Sequence, residues 1–171
     1  MIKLRKLKSE DYPLFRDLYF EENGDYQWIY FDDECKTKAI ENDDECFNEF
    51  YDIWEKEHNN YNKEVFEEQV ADKYYLYYGA EKDSKIIGYL KIFHNQNGIY
   101  KIAEWAMLNP NDEEAIAEIF DEMFKLKLPK LKGFWAEISS QKAADIFKKN
   151  GFEISKEGRY TCRIQLRKKT K

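Results

Sequence analysis

The stretch Ile99–Phe124 constrains the fold more than any other part of the chain. Its first ten residues are dense in apolar and aromatic side chains, which is typical of a strand buried on at least one face. Pro110 then ends the strand because it lacks a ladder donor, and Asn111 with Glu114 predicts a capping box for an amphipathic helix. Ligands of α/β proteins bind outside the carboxyl end of such a strand. We therefore expect the functional site at this junction.

Apolar spacing predicts secondary structure along the rest of the chain. Alternating or aromatic-rich segments predict strands, and apolar spacings of three and four residues predict helices. The predicted strands are Ile2–Leu7, Tyr74–Tyr78, Ile86–Phe93, Ile99–Leu108, Phe134–Ile138, Phe152–Ser155 and Tyr160–Leu166. The predicted helices include Asn42–His58 and Gln141–Lys149, and Ser9 and Asn62 are predicted N-caps of two further helices. Gly151 is a predicted left-handed C-cap. Arg167–Lys171 is predicted to be a solvated tail. The strands between Tyr74 and Leu108 should form an antiparallel meander.

Composition limits the class of protein. With 171 residues, 43% apolar and 36% charged, the chain is expected to form one globular domain spanning residues 1–171. No apolar run approaches the roughly 20 residues of a membrane span, and the first residues do not resemble a signal peptide. The three cysteines form no C-x-x-C pair, which favours a reducing cytoplasm. His58 and His94 lie far apart without cysteines at ligand spacing, so we predict no metal site.

Charge is distributed unevenly along the chain. The segment 21–72 carries eighteen acidic and four basic residues, whereas Met123–Lys171 carries fourteen basic and four acidic ones. Both segments can be explained as solvated helix faces, which is the common case for charge runs. Alternatively, the acidic segment attracts a cationic substrate. The same acidity opposes a polyanion, so we do not predict nucleic-acid binding.

Two local patterns and the order of the elements carry a resemblance to a known family. Tyr78–Leu90 has a turn, an apolar pair and then Gly-Tyr, and Ser140–Phe152 has a late helix followed by Asn-Gly-Phe. Together with Leu108-Asn109-Pro110, this order resembles the GCN5-related N-acetyltransferase (GNAT) superfamily over about half of the chain. The resemblance implies an α/β fold with a mixed, mostly antiparallel central sheet of about seven strands and helices on both faces. It also implies acetyl-CoA as donor and a primary amine as acceptor.

The resemblance assigns roles to particular residues. Glu104 would act as the general base, or would hold a water molecule that acts as the general base. The simpler alternative is a strand glutamate that faces solvent. Met107 and Leu108 would offer backbone groups to the pantetheine arm and the acetyl carbonyl of acetyl-CoA. Ser140, at the start of the late helix, is also a predicted cofactor-binding residue, and Lys142 is predicted to bind CoA as one of the basic side chains of that helix.

Two positions depart from the family pattern. The family has a glycine-rich turn, Q/R-x-x-G-x-G/A, whose N–H groups cradle the CoA pyrophosphate, but Asn111–Ile116 contains no glycine and three carboxylates. Phe147 stands where the family often has a tyrosine that protonates the departing thiolate. Two functions are therefore predicted as alternatives. The first is an N-acetyltransferase for a cationic small molecule or peptide, with the acidic segment at about 21–72 forming the acceptor side. The second is an inactive GNAT-fold binding or regulatory module that no longer binds CoA and dimerises through exposed strands.

Overall fold

The computed structural model describes residues 1–20, 60–93, 97–109, 111–138, 141–157 and 164–169. These residues contain seven strands and four α-helices, numbered in chain order. The strands are β1 (Lys3–Lys6), β2 (Tyr75–Lys82), β3 (Lys85–Phe93), β4 (Ile99–Met107), β5 (Gly133–Ile138), β6 (Glu153–Glu157) and β7 (Ile164–Lys169). The helices are α1 (Tyr12–Phe20), α2 (Lys63–Ala71), α3 (Glu113–Met123) and α4 (Gln141–Lys149), and a 3-10 turn at Ser9–Asp11 precedes α1.

All seven strands belong to one sheet, in the order β1-β2-β3-β4-β5-β7-β6. The meander β2-β3-β4 is antiparallel, as predicted, and β5, β7 and β6 form a second antiparallel group. The two groups meet at β4 and β5, which pair in parallel. The predicted fold class, a mixed and mostly antiparallel sheet with helices, is confirmed.

Apolar clusters cover both faces of the sheet. On one face, α3 and α4 pack on β4 through an aromatic group in which Phe147 lies 5.7 Å from Trp105 and 4.9 Å from Phe120, between ring centroids. On the other face, α1 and α2 pack on β2 and β3 around Phe15, whose ring lies 4.8 Å from those of Phe66 and Tyr89. Since alternate side chains of a strand point to opposite faces, β2 and β3 each contribute to both clusters.

A charged network, rather than the predicted serine cap, fixes the start of α1. Both oxygens of Asp11, which is 6% exposed, accept hydrogen bonds at 2.8 Å from the guanidinium of Arg5, and one also accepts the N–H of Lys8. Arg5 donates a further bond to Glu81 on β2. The predicted N-cap, Ser9, instead lies within the 3-10 turn and donates its hydroxyl to a carboxylate of α2. The N-cap prediction at Ser9 is therefore wrong, because the turn begins one residue earlier.

Other boundary predictions have mixed outcomes. Asn62 caps α2 by accepting the N–H of Val65 at 3.1 Å, and Gly151 is left-handed with a φ of 87°, both as predicted. The N-cap of α3 is Asp112 and not Asn111, because the side chain of Asp112 accepts the N–H of Ala115. The predicted tail is wrong for 167–169, since these residues continue β7 along β5.

Some predictions fall outside the described residues. They are the helix Asn42–His58, most of the acidic segment 21–72, His58, His94 and Ser140. Within the described part of the chain, no helix is long and apolar enough to cross a membrane. No group of three or more potential ligand side chains lies together there in a way that could hold a metal ion.

Candidate active site

The parallel strands β4 and β5 separate along their length. Their register pairs Ile99–Lys101 with Gly133–Trp135. Beyond these residues β4 continues to Met107, while β5 continues to Ile138 with β7 along its other edge. The described backbone therefore leaves a gap between the carboxyl ends of two neighbouring parallel strands, which is where α/β sheets bind ligands.

A β-bulge in β4 sets the direction of the side chains beside this gap. Ile102 lies opposite Ile92 of β3, but Glu104 lies opposite Lys91, so Ala103 is an extra residue on β4. An extra residue exchanges the two faces for the rest of the strand. In agreement, Ile102 and Trp105 are buried in the same cluster, under α3 and α4, although they are three residues apart. Glu104 is thereby turned to the opposite face.

Glu104 is held by two neighbours on β3. Its Oε2 accepts the hydroxyl of Tyr89 at 3.0 Å, and its Oε1 accepts the ammonium of Lys91 at 3.0 Å. The side chains of Glu104 and Lys91 are both 16% exposed. The carboxylate is therefore neither solvated nor alone in the core. Its burial and its two partners fix the orientation of the carboxylate.

The main chain of β4 presents alternate residues to the gap. Leu108 donates its N–H to the carbonyl of Ile87 at 2.8 Å, so this residue is hydrogen-bonded to β3. Along an antiparallel ladder, hydrogen-bonded pairs alternate with non-hydrogen-bonded pairs. The next pair, Met107 opposite Gly88, is therefore a non-hydrogen-bonded pair. The N–H and C=O of Met107 therefore point away from β3 and toward the gap. Of the two predicted backbone contacts, the geometry is suitable at Met107, whereas the N–H of Leu108 is already used.

The turn that opens α3 binds its own N–H groups. The N–H of Asn111 donates to the side chain of Asn109 at 3.1 Å, and that of Asp112 donates to the Asn109 carbonyl at 3.2 Å. The N–H of Glu113 donates to Asn111, and that of Ala115 donates to the Asp112 carboxylate. This is an ordinary capped helix, as the sequence indicates, and these four donors are not arranged as a pyrophosphate cradle.

A groove runs between α3 and α4. The ammonium of Lys149 donates to Glu113 at 2.8 Å across its mouth, and this hydrogen bond raises the pKa of Lys149. The groove has a volume of about 200 Å³ and is lined by Glu113, Ile116, Ala117, Ile146, Lys149 and Asn150. Of the predicted cofactor residues, Lys142 lies in α4, but its side chain is outside the described part of the structure, as is Ser140.

Phe147 is part of the hydrophobic core. Its side chain is fully buried, and its ring contacts those of Trp105, Phe120 and Phe152. This environment explains why an apolar ring is suitable at a position where the family often has tyrosine, because a hydroxyl buried among these rings would need a partner.

Sequence reasoning singled out Glu104 as a candidate but did not name the residues around it. Tyr89 and Lys91 contact its carboxylate, and the ring centroid of Tyr75 lies 4.6 Å from the ammonium of Lys91. The available signal was the antiparallel pairing of β3 with β4. A regular ladder through Ile92 and Ile102 would place Lys91 opposite Ala103, so only the bulge reveals the correct partner.

Solved structures of acetyltransferases share this fold. PaiA N-acetyltransferase from Thermoplasma acidophilum, in complex with coenzyme A, has a TM-score of 0.66 at 16% identity, over 99% of each chain. Aminoglycoside acetyltransferase AAC(6')-Ib, in complex with coenzyme A and kanamycin, has a TM-score of 0.63 at 12% identity, over 99% of this chain and 95% of that one. Spermidine N-acetyltransferase from Vibrio cholerae, in complex with CoA and spermine, has a TM-score of 0.57 at 16% identity, over 98% of this chain and 95% of that one.

No protein-family model and no curated protein sequence matches the chain. The structural matches nevertheless extend over nearly the whole chain. The chain shares the fold of these acetyltransferases and of the GNAT domain of S. lividans PAT, so the resemblance seen in the sequence is confirmed at the level of the fold.

Proposed function

We propose that this protein is an N-acetyltransferase that transfers the acetyl group of acetyl-CoA to a primary amine of a cationic small molecule or peptide. The observation that carries the proposal is the bulge at Ala103. It orients the Glu104 carboxylate toward one face of the sheet, while the main chain of Met107, three residues later, is directed into the gap between β4 and β5. Structural neighbours with this fold bind coenzyme A together with the amines kanamycin or spermine, which supports the donor and the class of acceptor.

The residues beside the gap fit the pantetheine arm of CoA better than its pyrophosphate. The Met107 main chain offers an N–H donor and a carbonyl acceptor to a pantetheine arm and an acetyl carbonyl. The start of α3 does not fit the pyrophosphate in the same way, because four of its N–H groups, those of Asn111, Asp112, Glu113 and Ala115, are already bonded within the turn. We propose that basic side chains of α4, including Lys142 and Lys149, hold the phosphates instead.

In this proposal the chain contributes position and proton acceptance. Acetyl-CoA, when bound, supplies an activated acetyl thioester. Glu104 accepts a proton from the acceptor ammonium, directly or through a water, which leaves an amine with a free electron pair. Tyr89 keeps the carboxylate in place by donating its hydroxyl to Oε2. The phenyl ring of Phe147 offers no proton to a leaving thiolate, so in this proposal the proton that the acceptor nitrogen loses as the amide forms reaches the thiolate through water.

The first test is a calorimetric titration with acetyl-CoA and with desulfo-CoA, which lacks the reactive sulfur. Micromolar binding of both is expected, followed by acetylation of amines such as spermidine. Glu104→Gln should lower kcat/KM by about 10²- to 10⁴-fold, the usual contribution of a general base, and leave the affinity for acetyl-CoA within twofold. Unchanged turnover in Glu104→Gln would contradict the assigned role. Glu118→Gln, an exchange on α3 away from the gap, is the matched control.

The second candidate function, a GNAT-fold module that does not bind CoA, is favoured by the capped turn at Asn109–Ala115. The variant combining Glu113→Gln with Glu114→Gly separates the two functions. If millimolar acetyl-CoA gives no heat and no thermal shift with the native chain, but binds to the variant, the second function is correct. The cytoplasmic location and a dimer through exposed strands stay predictions.

A further inference from the structure

The ammonium of Lys91 lies in a small cage. It is 3.0 Å from Oε1 of Glu104, 4.6 Å from the ring centroid of Tyr75 and 5.5 Å from that of Tyr77. A carboxylate beside aromatic faces is the environment that proteins use to bind ammonium groups, because the ion pair and the ring quadrupoles act together. Only 16% of the lysine side chain is exposed, so the cage holds it largely away from solvent.

An acceptor amine needs the same carboxylate. Where the acceptor ammonium gives its proton to Glu104 directly, it must come within hydrogen-bond distance of the carboxylate, but Oε1 already accepts Lys91 and Oε2 already accepts the Tyr89 hydroxyl. Two ammonium groups in contact with one carboxylate of low exposure would repel each other strongly. Lys91 and a cationic acceptor therefore cannot occupy this position together.

We infer that Lys91 is an internal occupant of the acceptor's ammonium subsite and that a primary alkylammonium substrate enters by displacing it. The inference rests on the proposed function, because it takes Glu104 as the carboxylate of the acceptor side. The four-carbon stem of lysine has enough rotatable bonds to release its ammonium without moving β3. Lys91 thus weakens the binding of every cationic acceptor by competition and sets the substrate concentration at which the site fills.

The test uses binding of butylammonium chloride in the absence of CoA, measured by calorimetry. Lys91→Met keeps an unbranched apolar stem and removes the charge, so it should bind butylammonium at least tenfold more tightly than the native chain. Lys91→Arg keeps a cation in the cage and should remain close to the native affinity. Lys101→Met removes the same charge from neighbouring β4, where the lysine lies over the ring of Trp135 at 4.9 Å, and should also give no gain. Uncharged butanol should bind no variant better than the native chain.

Three results would overturn the inference. They are equal affinity of Lys91→Met and the native chain, a loss of affinity in Lys91→Met, and an equal gain in Lys101→Met, which would indicate general electrostatics. If Lys91→Met does not fold, as judged by circular dichroism, Lys91→Gln takes its place with the same expected gain. Because the titration contains no CoA, a failure to bind acetyl-CoA refutes the proposed function and leaves the result on Lys91 valid.

Discussion

Replacing Asp11 with alanine should lower the free energy of unfolding by about 3 kcal/mol. The exchange removes two charge-assisted hydrogen bonds from Arg5 and one bond from the N–H of Lys8, all at 2.8 Å. Charged hydrogen bonds contribute roughly 1.5–3 kcal/mol each, but the Arg5 side chain is 37% exposed, so we count about 1 kcal/mol for each bond. For a chain of this length, the expected loss in Tm is roughly 6–12 °C. Glu10→Ala, which removes a 76% exposed neighbour, should change stability by less than about 0.5 kcal/mol.

The stabilisation by Asp11 should decrease as the pH falls. The hydrogen bonds from Arg5 hold the pKa of Asp11 below its usual 3.8 in the folded state. A group whose folded pKa is lowered stabilises fully above its unfolded pKa, and the stabilisation is lost as the pH falls toward the folded value. Urea unfolding followed by circular dichroism should therefore show a constant gap between native chain and Asp11→Ala from pH 8 to about pH 5, and a smaller gap at pH 3. A gap that is equal at pH 3 and pH 7, or below about 1 kcal/mol at pH 7, would refute the reasoning.

Two further substitutions test the framework of the site. Phe147→Ala empties a fully buried ring position and should cost about 3–5 kcal/mol in urea unfolding, whereas a cost below about 1 kcal/mol would show that Phe147 is not part of the core. Gly98→Ala should cost at least about 2 kcal/mol, because Gly98 has a φ of 83° and an added Cβ would lie 2.1 Å from the carbonyl oxygen of Lys130. Tolerance of alanine at position 98 would mean that the turn at Gly98 is not held as described. Gly133→Ala in β5 is the comparison variant.

The elements around the candidate site were predictable from the sequence, whereas the partners of Glu104 were not. The buried strand, the turn and the helix around Ile99–Phe124 follow from apolar spacing, and Glu104 is noticeable as a carboxylate on an apolar strand. The contact of Glu104 with Lys91 depends on the bulge at Ala103. One extra residue in β4 determines both which residue of β3 lies opposite Glu104 and toward which face of the sheet Glu104 points. A bulge results from cross-strand packing and has no local sequence signature here, so pattern reasoning could not place it.

Helix boundaries illustrate the same limit. Asn62 and Gly151 were correctly predicted because their chemistry acts within a few residues of the chain. Ser9 was not, because Asp11 binds Arg5 and thereby moves the start of the turn. Asn111 and Asp112 are equally good N-caps by type, and the local sequence does not distinguish between them.

The parallel pairing of β4 with β5 also affects how the chain folds. The meander of β2, β3 and β4 is built from short connections, as is the packing of β5 with α4, so each group can gain structure from contacts that are near in sequence. Three residue pairs and the aromatic contacts of Trp105 with Phe120 and Phe147 join them. The gap between β4 and β5 therefore lies where the two antiparallel groups of the sheet meet, and one hydrophobic cluster that spans both groups holds them together beside it.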